Sequence, residues 1–115
     1  MTAACLFCQI VSGEIKGEIV FRDDQATAFR DINPVAPTHI LIVPNQHIES
    51  VSVLESKDEQ LMGHLFAVAG QLAQSEGIAE GGYRLVTNTG ADAGQTVFHI
   101  HVHLLGGHKM KHPMG

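Results

Sequence analysis

The chain of 115 residues, 44% of them hydrophobic, is long enough for one buried core and too short for two. It carries a net charge of −5, and its basic residues Lys16, Arg22, Arg30, Lys57, Arg84, Lys109 and Lys111 are scattered, which excludes the basic footprint of a nucleic-acid polymer partner. The aliphatic run Ile40 to Val43 is far too short to cross a bilayer and the N-terminus lacks the pattern of a signal peptide, so the expectation is one domain over 1–115, cytoplasmic and without a membrane partner.

The first feature in chain order is Cys5-Leu6-Phe7-Cys8. In an intracellular chain a Cys-x-x-Cys pair points to metal binding or redox chemistry before a structural disulfide, although two cysteines make only half a zinc site. Residues 19–22 and 26–30 read as strands around the polar turn Asp23-Asp24-Gln25, and His39 to Val43 as a third strand closed by Pro44. Asp31-Ile32-Asn33-Pro34 between them is a good turn initiator.

From Lys57 to about Ala79 the pattern turns helical. Ser56 and Glu59 suit a capping box, Leu61, Leu65, Ala69 and Leu72 recur on one face, and Gly81-Gly82 marks the stop. Gly63, Ala67 and Gly70 form a small-residue stripe, read first as close packing on the protein's own sheet and second as contact with a partner subunit. Arg84 to Asn88 and His99 to Leu105 complete the strands. The fold class is therefore α+β: a mainly antiparallel five-stranded sheet with one long helix and a short N-terminal helix.

The last strand carries the chemistry. Its alternation places His99, His101 and His103 on one face about 6.6 Å apart, and Ile100, Val102 and Leu104 on the other. Such a row supplies either metal ligands or an imidazole nucleophile whose neighbours hold a charged group. The preceding loop, Asn88 to Val97, contains Gly90 and Gly94, which free the backbone to form an anion-binding nest, with phosphate as the natural guest. No Gly-Lys-Ser/Thr follows, so it is not a Walker loop.

The string His99-Ile-His-Val-His-Leu-Leu105, together with Phe29 to Pro44 and Gly94-Gln-Thr-Val-Phe-His99, resembles the histidine-triad (HIT) family of nucleotidyl hydrolases and transferases over nearly the whole chain. The ending Leu105 to Gly115 is similar to the Hint branch, known for homodimers and for hydrolysing purine nucleoside phosphoramidates. The resemblance implies that His101 is the nucleophile, flanked by His103 and His39. It puts Thr96 and Gln95 at the leaving group and phosphate, adds Asn88 and the Gly94 amide as phosphate donors with Val97 alongside, and assigns Asp31 to the ribose and Phe29 and Ile32 to the purine. Thr96 departs from the Ser usual at this position, and His112 from the Trp of many eukaryotic members. His64, His108 and His112 receive no role.

Some members with the N-terminal cysteine motif carry a structural zinc, and the matching ligands here are Cys5, Cys8, His47 and His99. The implied activity needs no cofactor. It is a two-step transfer through a nucleotidyl-histidine that releases nucleoside monophosphate. The rival readings are a dinucleoside polyphosphate hydrolase, a metal-dependent hydrolase that uses the histidine row as ligands, and a non-enzymatic nucleotide-binding interaction module.

Overall fold

Every pairing in the sheet is antiparallel, and the strand order puts the histidine strand inside it. The structure, a computed structural model, describes residues 5–113, so Met114 and Gly115 of the Hint-like ending lie outside the described residues. The elements are α1 (Leu6–Ser12), β1 (Ile19–Arg22), β2 (Ala26–Arg30), β3 (Thr38–Pro44), α2 (Glu59–Ser75), β4 (Tyr83–Val86) and β5 (Val102–Gly106), with 3-10 turns at Val51–Val53, Ser56–Asp58 and Ala91–Ala93. The sheet runs β1-β2-β3-β5-β4. The expected α+β class, with five strands, one long helix and a short N-terminal helix, is the class observed.

The two faces follow from period-2 alternation along β3 and β5. Ile40, Ile42, Val102 and Leu104 point to α2, where Leu65, Val68, Ala69 and Leu72 close the main core. Leu41 and Val43 point the other way and join Phe7, Ile10 and Phe29 in a second cluster beneath α1. All seven residues of β3 are buried, as its unbroken aliphatic run requires of a strand covered on both faces.

The long helix differs from the expectation at both ends. Its capping box is formed by Glu55 and Asp58 around the 3-10 turn, not by Ser56 and Glu59. At the far end Gly77 adopts φ 76° and the Ile78 N–H returns to the Ala73 carbonyl at 3.0 Å, so the chain leaves the helix well before Gly81-Gly82. The stop is reinforced by burial of Ile78 in the main core. The small-residue stripe does not pack on its own sheet. Gly63 and Ala67 are exposed, a Cβ added at Gly63 would meet nothing within 4 Å, and only Gly70 approaches the sheet, at Tyr83.

The last strand starts at Val102 instead of His99. The Ile100 N–H is taken by the Ile48 carbonyl at 2.7 Å, and the His101 carbonyl by the Thr87 hydroxyl at 2.8 Å. Those groups are then lost to a ladder, and β4 correspondingly ends at Val86. The side-chain alternation nevertheless persists through the irregular stretch, with Ile100, Val102 and Leu104 all buried.

Candidate active site

His101 is held by a backbone carbonyl and by an aromatic ring. Its Nδ1 lies 2.8 Å from the His99 carbonyl. A carbonyl only accepts, so Nδ1 carries the proton and Nε2 holds the lone pair. The ring is buried, and Phe7 of α1 packs its edge against it at 5.0 Å and 89°. Burial lowers the His101 pKa; the His99 bond and Asp31 oppose that shift without reversing it. The imidazole is held neutral and in one tautomer, the state a nitrogen nucleophile requires.

A second chain of bonds fixes its neighbour. The Val35 N–H donates to His39 Nδ1 at 3.2 Å, so His39 carries its proton on Nε2, which lies 2.9 Å from His103 Nδ1. His103 Nδ1 therefore accepts, and its N–H sits on Nε2. Asp31 Oδ2 stands 3.4 Å from His39 Nε2, while Asp31 Oδ1 accepts the Asn33 N–H at 2.8 Å in the turn read from the sequence. Burial pushes the His103 pKa down to about 4 and lowers that of His39. Asp31 raises both, less strongly than burial lowers them.

His101 and His103 open into a cavity of about 360 Å³ whose lining also includes Phe29, Asp31, Ile32 and Thr96. Ile32 is 90% exposed at its rim, and Val97 lies in the wall. Phe29 is held by the Phe7 ring at 5.3 Å, which places an aromatic floor beside the imidazoles.

The glycine loop is built differently from the nest expected of it. Gly90 and Gly94 do take positive φ, 85° and 88°. The Ala93, Gly94 and Gln95 amides, however, turn inward to the Ala91 and Gly90 carbonyls and close the loop on itself. The Gln95 side chain is 4% exposed, accepting from the Gly90 N–H at 2.9 Å and donating to the Glu49 and Val97 carbonyls. It braces the loop instead of facing the cavity. Asn88 and Gly94 are likewise outside the cavity lining, which leaves Thr96 as the loop's polar side chain there.

His99 faces a separate cluster. Its Nε2–H donates to the Pro44 carbonyl at 2.8 Å, so Nδ1 holds a lone pair, and that atom lies 3.4 Å from Cys5 Sγ and 3.4 Å from Cys8 Sγ. His47 Nδ1 is 3.3 Å from Cys8 Sγ. The donor atoms of Cys5, Cys8, His47 and His99 all lie within 4.8 Å of one another. Two sulfurs and two imidazole nitrogens gathered this closely suit a tetrahedral divalent ion. The histidine row itself does not converge on one point. His99 turns its free nitrogen to the thiols, while His103 groups with His39 and Asp31. A metal held by His99, His101 and His103 together is therefore not what this geometry offers.

Three contributors escaped the sequence reading: Phe7, the Thr87 hydroxyl and the Pro44 carbonyl. Phe7 had a signal in its place between the two cysteines on an apolar helical face. A carbonyl that orients a ring leaves no trace in side-chain type.

The family model for the HIT domain matches residues 12–110. The chain is 51% identical over 107 residues, 93% of its length and 90% of the relative's, to the purine nucleoside phosphoramidase of Escherichia coli (strain K12). A HIT family hydrolase from Legionella pneumophila superposes with a TM-score of 0.94 at 50% identity, covering 96% of this chain and 99% of that one. A HIT family hydrolase from Clostridium thermocellum gives 0.93 at 44% identity, covering 96% of each chain.

Proposed function

The chain belongs to the HIT domain family, and from that premise we propose that it hydrolyses purine nucleoside phosphoramidates to a nucleoside monophosphate and an amine. The observation that carries the reading is the His101 imidazole, its tautomer fixed by the His99 carbonyl, in the lining of a cavity of about 360 Å³.

In the reaction, His101 Nε2 attacks the α-phosphorus. The new N–P bond forms as the P–N bond to the leaving amine breaks, and the amine takes a proton relayed by the Thr96 hydroxyl, which recovers it from solvent. Water then attacks phosphorus, the histidine N–P bond breaks, and a proton is released as His101 returns to its neutral state. His103 Nε2–H donates to a non-bridging phosphate oxygen throughout, with His39 holding its tautomer. Phe29 and Ile32 border the purine and Asp31 accepts the ribose hydroxyls.

Cys5, Cys8, His47 and His99 would hold a structural zinc ion, which supplies no step of this reaction and ties α1 to the His99 segment. The chain works as a cytoplasmic homodimer. Support for the dimer comes from the exposed Gly63, Ala67 and Phe66 on α2 and from the place of β4 at an edge of the sheet. Steady-state hydrolysis of an adenosine phosphoramidate, with a nucleotidyl adduct trapped on His101, tests the function. Absence of turnover on any purine phosphoramidate would sink it.

A further inference from the structure

Two cations that are far apart in sequence, Arg84 and Lys111, line one cavity beside the catalytic face of the sheet. Arg84 of β4 pairs with Leu105 of β5, and Leu105 pairs in turn with His39 of β3. Cross-strand partners share a face, so Arg84 lies on the same side as the His39 and His103 imidazoles. His103, two residues before Leu105, is about 6.6 Å along that strand. Beside this row is a cavity of about 290 Å³ whose lining includes Val35, Arg84, Leu105, His108, Lys111 and His112. Val35 is also the residue whose N–H fixes His39. The linked His39 and His103 rings thus stand between the nucleotide cavity, which contains Phe29 and Leu41, and this second one.

The second cavity is cationic in a chain whose net charge is −5. No Asp or Glu occurs after Asp92. Among the described residues neither Arg84 nor Lys111 forms an ion pair, whereas Arg30 is held by Glu76 and Glu18. Unpaired cations gathered around a concavity repel one another, and an anion relieves that repulsion. The guanidinium fork of Arg84 matches a carboxylate or a phosphate group.

We propose that this cavity is a subsite for an anionic group, a carboxylate or a phosphate ester, carried by the leaving amine. The inference rests on the phosphoramidase reading: a nucleoside in the first cavity brings its phosphorus to the imidazoles, and the amine beyond it extends toward Arg84 and Lys111. The preferred substrates are then nucleotidyl adducts of acidic amines rather than of neutral ones.

The test compares kcat/KM for adenosine phosphoramidates that differ only in the amine: β-alanine, β-alaninamide and phosphoethanolamine. The wild-type chain should favour at least one acidic substrate over the amide by about tenfold. That ratio should fall toward one in both Arg84→Gln and Lys111→Gln, and the two acidic arms decide between carboxylate and phosphate. Equal rates for acid and amide in the wild type, or a preference left intact in both variants, would overturn the subsite. If none of the three is hydrolysed, the phosphoramidase reading has failed instead. Calorimetric titration with the same uncleaved compounds then decides the subsite: tighter binding of the acidic compound that is lost in Arg84→Gln supports it, and equal affinity overturns it.

Discussion

The His99 backbone carbonyl accepts the Nδ1–H of His101 at 2.8 Å, while the His99 side chain faces Cys5 and Cys8 at 3.4 Å. One residue thus connects a metal-type cluster to the orientation of the proposed nucleophile. Phe7 adds a second connection, because it lies between the two cysteines and packs on the His101 ring. Protein purified without chelator should contain about one zinc per chain. Cys8→Ser should lose the metal and several kcal/mol of stability, the scale of a lost structural metal site. Metal analysis and thermal melting check both, and less than about a tenth of an equivalent of zinc would refute the site.

His101→Ala should retain fold and nucleotide binding while losing at least about a thousandfold in kcat/KM, roughly 4 kcal/mol of transition-state stabilisation. Mass spectrometry of the quenched wild-type reaction should find the nucleotidyl group on His101. Activity within about tenfold of wild type in the variant would remove His101 as the nucleophile.

Burial holds the His103 pKa near 4, below its usual 6.5. On acidification the unfolded chain binds a proton at this residue first, so the stability contributed by neutral His103 is present above pH 6.5 and is lost as pH falls toward 4. Urea midpoints at pH 7 and pH 5 should therefore differ in the wild type, and differ less in His103→Gln, where a glutamine oxygen still accepts from His39 but does not titrate. An unchanged difference would show that His103 is not protected from protonation.

Sedimentation at micromolar concentration should give about twice the 12.4 kDa chain mass. Phe66→Asp, a charge placed on the exposed face of α2, should shift the protein toward monomer without unfolding it. A monomeric wild type would leave the small-residue stripe without a partner.

The strands, the faces of β3 and the histidine face were legible because period-2 alternation is written directly in side-chain type. The row survived even where the strand did not form, since His99 and His101 keep their sides while the backbones of His99, Ile100 and His101 bond to the His101 ring, Ile48 and Thr87 respectively. The helix ends were less legible because capping depends on backbone geometry: the box forms between Glu55 and Asp58 on the 3-10 turn that precedes the helix. Gly90 and Gly94 announced positive φ correctly, but whether freed amides face a ligand or their own turn depends on where Gln95 is buried, which a local pattern does not encode. The cationic cavity escaped for a related reason. Arg84 and Lys111 come to line one cavity only because the fold brings β4 beside the segment that follows β5.

Asp31 has two oxygens in different employment: Oδ1 holds the Asn33 turn, and Oδ2 is 3.4 Å from His39, in a residue that lines the same cavity as His101 and His103. An ionised carboxylate placed there accepts from ribose hydroxyls, and a charge-assisted bond of this kind contributes about 1.5–3 kcal/mol when shielded from water. Removing the 2′-hydroxyl leaves part of that acceptor capacity unmet, so a 2′-deoxyadenosine phosphoramidate should have a kcat/KM about tenfold below its ribo counterpart. Asp31→Asn should shrink the preference, because the amide keeps one acceptor oxygen and loses the charge, while the Asn33 turn persists on that oxygen. Comparing both substrates in both proteins checks the assignment. Equal values for the two sugars in wild type would confine Asp31 to the turn and to His39.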